Sequence, residues 1–397
     1  MYNDTTARWL WLIMVMGIAK EKTIELVKKC PNIETLYHMM CEPNNELLTE
    51  KEYKKVLETP FKSAEQILIS CQKNGIGVIT FDSEYYPNNL KNIYNPPAVL
   101  FYKGNPEILQ NENILTIVGT RYPSNYSIRT GEQLCMEIAK QDIIIASGGA
   151  IGMDSVAHNS AIMAGKPTIS IMACGLDFDY PKENRTLREK IRETGVMISE
   201  YFCGTPAYSG NFYARNRILS GISKGTLVLE AKEKSGTMIT ANNACEQNRT
   251  VFCLPPADIF NTRYDGQANL LRDGATPVFS IEDILPIKNY QVSEPVPKLE
   301  KSRKQKKAKS SVSEPMSIKI NSEIKNSVNT NWIPSEATPE QQKILELLEE
   351  SNKNSNMLCQ LAEMRFDILS TNLVEMEMQG WIINTGMDYY QLASNLK

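Results

Sequence analysis

Four loops, each following or adjoining an apolar run, carry the residues best suited to bind an anion. The first, TIVGTRYPSNYS (116–127), begins like a dinucleotide-binding turn, but Arg121, Tyr122 and Pro123 stand where its later glycines would be. Gly119 permits a tight turn, and the planar guanidinium of Arg121 can donate two hydrogen bonds to one phosphate. A structural salt bridge would explain this arginine equally well.

The second loop is SGGAIGMD (147–154). Its glycines, Gly148, Gly149 and Gly152, would let backbone N–H groups approach a ligand at the start of a helix. Asp154 could cap that helix or orient a neighbouring donor, and the cap is the favoured interpretation. A glycine-rich turn after a strand suggests an anion site without specifying one.

The third loop is GNFYARNRILSG (210–221), in which Arg215 and Arg217 flank Asn216. On a helix the two arginines point about 200° apart, so one can face a ligand while the other pairs within the protein. Which of them does so stays open. Phe212 beside these cations is typical of single-strand binding, where base stacking is worth roughly 1–3 kcal/mol per base. The alternative is that Phe212 belongs to the core.

The fourth loop lies in EAKEKSGTMITANNACEQ (230–247), where Ser235, Gly236 and Thr237 form a compact anion-binding turn before a helix. Helix capping alone would also explain Ser235. Ten of the thirteen arginines lie between 121 and 272, and acids nearly balance bases there. The arginines therefore serve discrete phosphate contacts or discrete ion pairs.

Composition excludes several function classes. The net charge of −3 argues against a protein that coats nucleic acid by bulk charge. With two histidines and no Cys-x-x-Cys pair, the chain favours neither a zinc site nor a histidine-based triad, so we predict no metal and no cofactor. The nine cysteines are predicted to be buried thiols. The apolar run at 9–19 is about half of a membrane span, which predicts a cytoplasmic protein.

The chain divides into four predicted parts. Residues 1–72 have helical spacing and predict a small bundle. Residues 73–286 alternate apolar strands with helices, which predicts an α/β fold with a parallel sheet covered on both faces. Residues 287–336 predict a disordered lysine-rich linker, and residues 337–397 predict three helices and a β-wing, hence a winged helix. Acids outnumber bases in this last part, so protein contact is favoured over a DNA duplex there.

Taken in order, the motifs resemble those of the DNA-processing protein A family, also called DprA or Smf. The matching stretches cover about residues 79–276 and read IVGTR, SGGAIGMDSVAH, CGLDFDYPKENRTL, GVMISEY, GNFYARNRILSG, LVLEAKEKSGTMITANNACEQNR and NLLRDGA. The N-terminal part is similar to the sterile-alpha-motif-like (SAM-like) domain common in that family, and the tail to its winged-helix domain.

The resemblance implies an extended Rossmann-like fold that binds single-stranded DNA without strong sequence preference and is not an enzyme. It also implies homodimerisation, protection of incoming DNA and loading of the RecA recombinase during natural transformation and homologous recombination. Carried over onto this sequence, the DNA-binding residues would be Gly119, Arg121, Gly148, Gly149, Asn211, Phe212, Arg215, Asn216, Arg217, Ser235, Gly236 and Thr237.

The sequence departs from the family pattern at two places. Gly149 and Ile151 replace the usual leucine and arginine of the glycine loop, so one phosphate contact is expected to be missing. Pro255-Pro256 replaces the usual Pro-Gly, which predicts a stiffer loop.

Two other functions stay open at this point. The glycine-rich loops faintly resemble those of cytokinin-activating phosphoribohydrolases, in which case Glu230, Asp154 or Glu246 would be the catalytic acids. The Pro-Gly-Gly-x-Gly-Thr loop of those enzymes is absent from this sequence. A sequence-specific regulator acting through the winged helix is the other alternative, and the acidic third helix disfavours it.

Overall fold

The computed structural model describes residues 4–43 and 45–289 and, nearer the C-terminus, residues 334, 336–350, 353–362, 364, 366–384 and 389–393. The predicted linker lies almost entirely outside the described residues. The chain forms two compact units, Met1–Lys301 and Ser302–Lys397, and each is described by itself.

Five helices form the N-terminal part of the first unit. The first helix is covered on several sides by its neighbours, since the successive residues Trp9, Leu10, Trp11 and Leu12 are all buried. Side-chain caps start two of the others, Asn32 before α3 and a Thr49–Glu52 capping box at α4. The five helices are α1 (Asp4–Met16), α2 (Glu21–Lys29), α3 (Ile33–Cys41), α4 (Glu50–Glu58) and α5 (Phe61–Lys73).

A nine-stranded sheet follows, and its central strands are short runs that are buried at every position. Such continuous burial is typical of a parallel sheet with both faces covered. The strands are β1 (Gly77–Thr80), β2 (Val99–Gly104), β3 (Ile114–Val118), β4 (Ile144–Ser147), β5 (Thr168–Met172), β6 (Val196–Ser199), β7 (Gly225–Val228), β8 (Thr250–Cys253) and β9 (Thr276–Pro277).

The strand order is β1-β2-β6-β5-β4-β3-β7-β8-β9. Strands β3 to β9 pair in parallel, which confirms the predicted α/β fold with its parallel sheet. The first two strands add an antiparallel extension, because β2 pairs antiparallel with both β1 and β6. The segment before the parallel strands is thus part of the same sheet.

The helices of this unit cover both faces of the sheet. Leu134 of α7 and Ala157 of α8 pack on one face, whereas Leu219 of α10 and Ala241 of α11 pack on the other. The helices are α6 (Asn88–Lys91), α7 (Asn125–Lys140), α8 (Met153–Met163), α9 (Arg185–Thr194), α10 (Ser209–Gly221), α11 (Gly236–Glu246) and α12 (Asp265–Arg272), with five short 3-10 helices at Pro106–Gln110, Lys182–Asn184, Thr262–Tyr264, Ile281–Asp283 and Leu285–Asn289.

The N-terminal helices and the sheet share one hydrophobic core. Trp9 of α1 and Leu68 of α5 belong to the same buried cluster as Phe101 of β2, Ile191 of α9 and Met197 of β6. The helical region therefore covers part of one sheet face and is continuous with the α/β core.

The order of the sheet places a crevice beside β3. From β3 the chain moves outward through β4, β5 and β6, and β7 then returns to the opposite side of β3. Ligands in open parallel sheets bind beyond the carboxyl ends of the strands at such a switch point. The loops after β3, β4 and β7 border it.

The described residues of the second unit form three helices and a small antiparallel sheet. Buried residues from the helices and from β11, among them Ile344, Leu369 and Ile382, form its core. Strand β10 was not predicted from sequence, and the winged-helix assignment stays a prediction. The elements are α13 (Pro339–Glu350), α14 (Ser355–Leu361), α15 (Phe366–Met378), β10 (Lys353–Asn354), β11 (Ile382–Asn384) and β12 (Tyr389–Leu392), with strand order β10-β12-β11.

The cysteines are all free thiols, but their burial varies more than predicted. Four are buried, namely Cys71, Cys135, Cys174 and Cys253. Cys41, at the end of α3, and Cys245, near the end of α11, are exposed. Within the part of the chain that the structure describes, no helix is both long and apolar enough to cross a membrane.

His158 makes the stability of the first unit depend on pH. Burial lowers its pKa from 6.5 to about 3, and its Nδ1 lies 2.8 Å from the Thr168 hydroxyl. Between these two pKa values the unfolded chain binds more protons than the folded protein, so stability falls as the pH drops below 6.5. We expect this residue to cost about 2 kcal/mol of unfolding free energy at pH 5 relative to pH 7.5.

Urea unfolding at both pH values measures this effect. The His158→Gln variant has no titrating ring and should lose less stability on acidification than the wild type. Equal losses in the two proteins would contradict a buried neutral histidine.

Candidate functional site

The structure brings the predicted loops together at the carboxyl ends of the parallel strands. Thr120, after β3, donates its N–H to the carbonyl of Glu230, after β7, at 2.9 Å. The carbonyl of Thr120 accepts a hydrogen bond from the N–H of Met153, at the start of α8, at 3.1 Å. Three loops that are far apart in sequence are thus joined through their backbones.

Arg121 lies exposed on this surface. Its guanidinium carbon is 5.5 Å from the centre of the Phe212 ring, which is a cation–π contact. Among the residues that the structure describes, no carboxylate oxygen lies within 4.0 Å of it, so the salt bridge considered from sequence is not formed. Its donors are available to an external anion.

Phe212 is only partly buried and connects several parts of the site. The Tyr180 ring meets it edge-on at a centroid distance of 5.6 Å, and the guanidinium carbon of Arg215 lies 5.9 Å from its centre. Within the described chain it belongs to none of the buried hydrophobic clusters. The ring is a surface aromatic between two cations.

Arg215 lies beneath this surface and is only 5% exposed. It donates hydrogen bonds to the carbonyl of Gly148, at 2.8 Å, and to that of Ile171. Burial lowers the pKa of Arg215 and raises that of the neighbouring Asp154, while each charge counteracts the shift of the other. With Arg121 nearby, the site holds two cations and one buried carboxylate.

Asp154 does not cap its helix as expected. Helix α8 begins after Gly152, which has no side chain to cap it. The carboxylate of Asp154 instead accepts a hydrogen bond from the N–H of Ala150 at 3.3 Å and lies beside Arg215. Its role is to hold the glycine loop and the buried guanidinium.

Arg217 pairs inside the protein. One of its terminal nitrogens lies 2.7 and 2.8 Å from the two carboxylate oxygens of Glu200, and the side chains are 13% and 5% exposed. Asn216, also buried, donates from its amide to the carbonyl of Gly236 at 3.4 Å. These two residues fasten α10 to its surroundings, and Arg215 is the arginine of this helix that contacts Phe212.

The glycines of the site are needed by the protein itself. A β-carbon on Gly148 would lie 2.6 Å from Arg215, and one on Gly149 would lie 2.8 Å from the Ser170 hydroxyl. Gly119 packs as closely on the Met153 side chain, at 2.7 Å. Gly148 and Gly149 of the second loop are buried, so their small size serves internal packing.

The remaining predicted residues lie around the rim. Ser235 is the N-cap of α11 and accepts a hydrogen bond from the N–H of Met238 at 3.4 Å. Gly236 is exposed, whereas Thr237 is buried. Asn211 is half-buried, and its amide donates to the carbonyl of Pro206 at 3.2 Å.

Glu230 has a structural role that sequence reasoning missed. Its buried carboxylate accepts hydrogen bonds from the N–H and the hydroxyl of Ser124, at 2.9 and 2.7 Å, and pairs with Arg263 at 3.3 Å. Tyr264 also donates to Ser124, at 3.0 Å. These contacts hold the end of the loop that carries Arg121. From sequence, the only indication of this ion pair was that Arg263 is one of the ten arginines clustered between residues 121 and 272.

The three carboxylates considered for catalysis have different surroundings. Glu230 holds Ser124 and Asp154 adjoins Arg215. Glu246 is the last residue of α11, about 16 Å along the helix from Ser235.

Comparison with known proteins identifies the family of this chain. The family model "DNA recombination-mediator protein A" matches residues 77–288. The chain is 38% identical to the DNA processing protein DprA of Bacillus subtilis over 245 residues, which are 61% of this chain and 82% of that protein. It is also 38% identical to the DNA processing protein DprA of Streptococcus pneumoniae over 200 residues, 50% of this chain and 70% of that protein.

A solved structure shows that the fold is similar as well. The structure of the Streptococcus pneumoniae protein matches with a TM-score of 0.61 and 28% identity, covering 69% of this chain and 95% of that one. The residues that the family model matches include all nine strands of the sheet and the loops between them. The chain therefore belongs to the DNA recombination-mediator protein A family.

Proposed function

We propose that the protein binds single-stranded DNA at the crevice beside β3, without catalysis, and passes the strand to the RecA recombinase. The observation that carries this proposal is the exposed Arg121 guanidinium, which has no carboxylate oxygen within 4.0 Å among the described residues and lies over the partly buried ring of Phe212. A phosphate contact next to a stacking ring is the combination that single-strand binding uses.

The predicted residues divide into two groups by exposure. The proposed direct contacts are the accessible residues Arg121, Asn211, Phe212, Ser235 and Gly236. The buried or internally bonded residues would shape and hold this surface, and they are Gly119, Gly148, Gly149, Arg215, Asn216, Arg217 and Thr237.

Further aromatic rings are exposed on the segments that carry the proposed contacts. Tyr122 follows Arg121 and is 66% exposed, while Tyr208 and Tyr213, around the start of α10, are 64% and 67% exposed. Rings of this kind accept any base by stacking, which is consistent with binding that has little sequence preference.

The wider role is proposed from family membership. A recombination mediator that handles single strands would act in the cytoplasm, as a homodimer, by protecting DNA and loading RecA in natural transformation or recombination. We also propose the four-part division of the chain, with residues 337–397 as a winged helix that contacts protein, because acids outnumber bases there.

Fluorescence anisotropy with single-stranded and double-stranded oligonucleotides tests this function. We expect preferential binding of the single strand, an affinity that falls steeply with salt, and a ternary complex when RecA is added. Equal affinity for both DNA forms would contradict the proposal, and release of free base from a nucleoside monophosphate would favour an enzyme.

Replacing Phe212 with leucine should weaken single-strand binding by about 1–3 kcal/mol, because an aliphatic side chain cannot stack on a base. The Phe279→Leu variant is the control, since Phe279 is 80% exposed and follows edge strand β9, outside the segments that carry the proposed contacts. Titration by anisotropy at fixed salt measures both. A greater loss from the Phe279 variant would place the stacking surface elsewhere on the protein.

A further inference from the structure

A second cluster of cations lines a cleft between α9 and the antiparallel edge of the sheet. Lys103 of β2 contributes from one side, and Arg185, Arg188 and Arg192 of α9 contribute from the other. The loop after β5 closes one end with Asp177, Phe178 and Asp179. The cleft has a volume of about 230 Å³ and opens to solvent.

Two of these four cations share one carboxylate within the protein. Asp179 accepts a hydrogen bond from Nε of Arg185 at 2.9 Å and also pairs with Arg188. The arginines hold the pKa of this carboxyl below its usual value. Arg188 is 8% exposed and also donates to the carbonyl of Pro181. This pair of arginines fixes the loop against α9.

The other two cations are not neutralised by an ion pair. In the part of the chain that the structure describes, no carboxylate oxygen lies within 4.0 Å of Lys103 or Arg192. Partial burial and then the nearby charge of Arg192 lower the pKa of Lys103, while the charge of Asp177 counteracts them. Asp177, Asp179 and Glu189 also line the cleft, so its four cations exceed its three carboxylates by one charge, and an anion is favoured beside Lys103 and Arg192.

The cleft is connected to the proposed DNA-binding surface by a single short loop. Tyr180 meets Phe212 at the first site, and the preceding residues Phe178 and Asp179 line the cleft. Phe178 is 40% exposed, so it presents an aromatic surface between the two groups of cations. The volume lies below the roughly 300 Å³ at which pockets begin to enclose whole ligands, which suits a passing polymer better than a small molecule.

We propose that this cleft is a second phosphate-binding segment of the same DNA track. A single strand that passes Arg121 and Phe212 would continue over Phe178, and its backbone would contact Lys103 and Arg192. The inference rests on the proposed single-strand binding and adds a path and a minimum length to it.

The Lys103→Gln/Arg192→Gln double variant tests the path with oligonucleotides of two lengths. One of about 6 nucleotides would fill the first site alone, and one of about 25 nucleotides would also reach the cleft. We expect about tenfold weaker binding of the long strand with no change for the short one. The slope of log affinity against log salt for the long strand should become less negative by about 1.4, which corresponds to two lost phosphate contacts.

The Lys190→Gln variant is the matched control, because Lys190 is an exposed cation on the same helix that does not line the cleft. Wild-type affinity of the double variant for both lengths would overturn the inference, and so would an equal loss for both. Competition of the long strand by inorganic phosphate alone, at a site removed by the double variant, would identify a free-phosphate site. Failure of the wild type to bind either strand would instead contradict the proposed function.

Discussion

Replacing Arg121 with alanine is expected to weaken the binding of single-stranded DNA by roughly 10- to 100-fold, because hydrogen bonds to charged groups are worth about 1.5–3 kcal/mol. The loss should be similar for all sequences, since a phosphate carries no sequence information. Stability should stay near the wild-type value, because no internal ion pair of the described chain is broken. Anisotropy titrations over several salt concentrations measure the effect, and the salt slope should become less negative by about 0.7.

Two variants sharpen this experiment. Arg129→Ala removes an equally exposed arginine from α7 and should leave the affinity almost unchanged. Arg121→Lys keeps the charge but loses the planar fork, so its affinity should lie between those of the wild type and the alanine variant. If Arg121→Ala bound as tightly as the wild type, the site would have to lie elsewhere.

Replacing Arg217 with methionine is expected to destabilise the folded protein by about 3–5 kcal/mol, because the Glu200 carboxylate would be left buried without its partner. Urea unfolding followed by circular dichroism measures the loss. DNA binding should fall only in proportion to the unfolded fraction, in contrast to the Arg121 variant, which stays folded.

A double variant separates the charge from the packing. Glu200→Met/Arg217→Met removes both buried charges, and it should recover most of the lost stability. Two nitrogens of Arg217, Nε and Nη1, are buried without a hydrogen-bond partner, which makes the wild-type pair costly to desolvate. If Arg217→Met retained full stability but lost DNA binding, its guanidinium would serve the ligand and the Glu200 pairing would be incidental.

The parallel sheet could be predicted because each strand is recognisable from its own short run of residues. Runs such as ILTIV at 114–118 are apolar at every position except one threonine, and such continuity indicates a strand covered on both faces. The observed β3 has these bounds. The same reasoning placed the first, second and fourth candidate loops at strand ends, where the structure finds them, whereas the third, residues 210–221, lies within helix α10.

The roles of individual site residues could not be predicted in the same way, because they depend on contacts between distant segments. Arg215 and Arg217 are two positions apart on one helix, yet Gly148 and Ile171 hold the first and Glu200 holds the second. The sequence alone does not indicate which carboxylate or carbonyl group a guanidinium will bind in the folded protein. That the Arg121 guanidinium can bind an external anion likewise becomes clear only from the positions of its neighbours in the folded protein.

The glycines show a second limit of sequence reasoning. A glycine after a strand is compatible with a ligand approaching the backbone or with a side chain of the protein filling the space. At Gly148 the space is filled by Arg215, a residue 67 positions away in the chain. Spacing alone cannot separate these two uses.

The core shared by the N-terminal helices and the sheet has a consequence for synthesis on the ribosome. Helices α1 to α5 are made first, but the cluster that covers them includes Phe101, Ile191 and Met197. At about 5–20 residues per second, the partner surfaces emerge on the order of ten seconds after α5. The nascent helices therefore keep apolar side chains uncovered during this interval, and binding by a chaperone at that stage would protect the chain from aggregation.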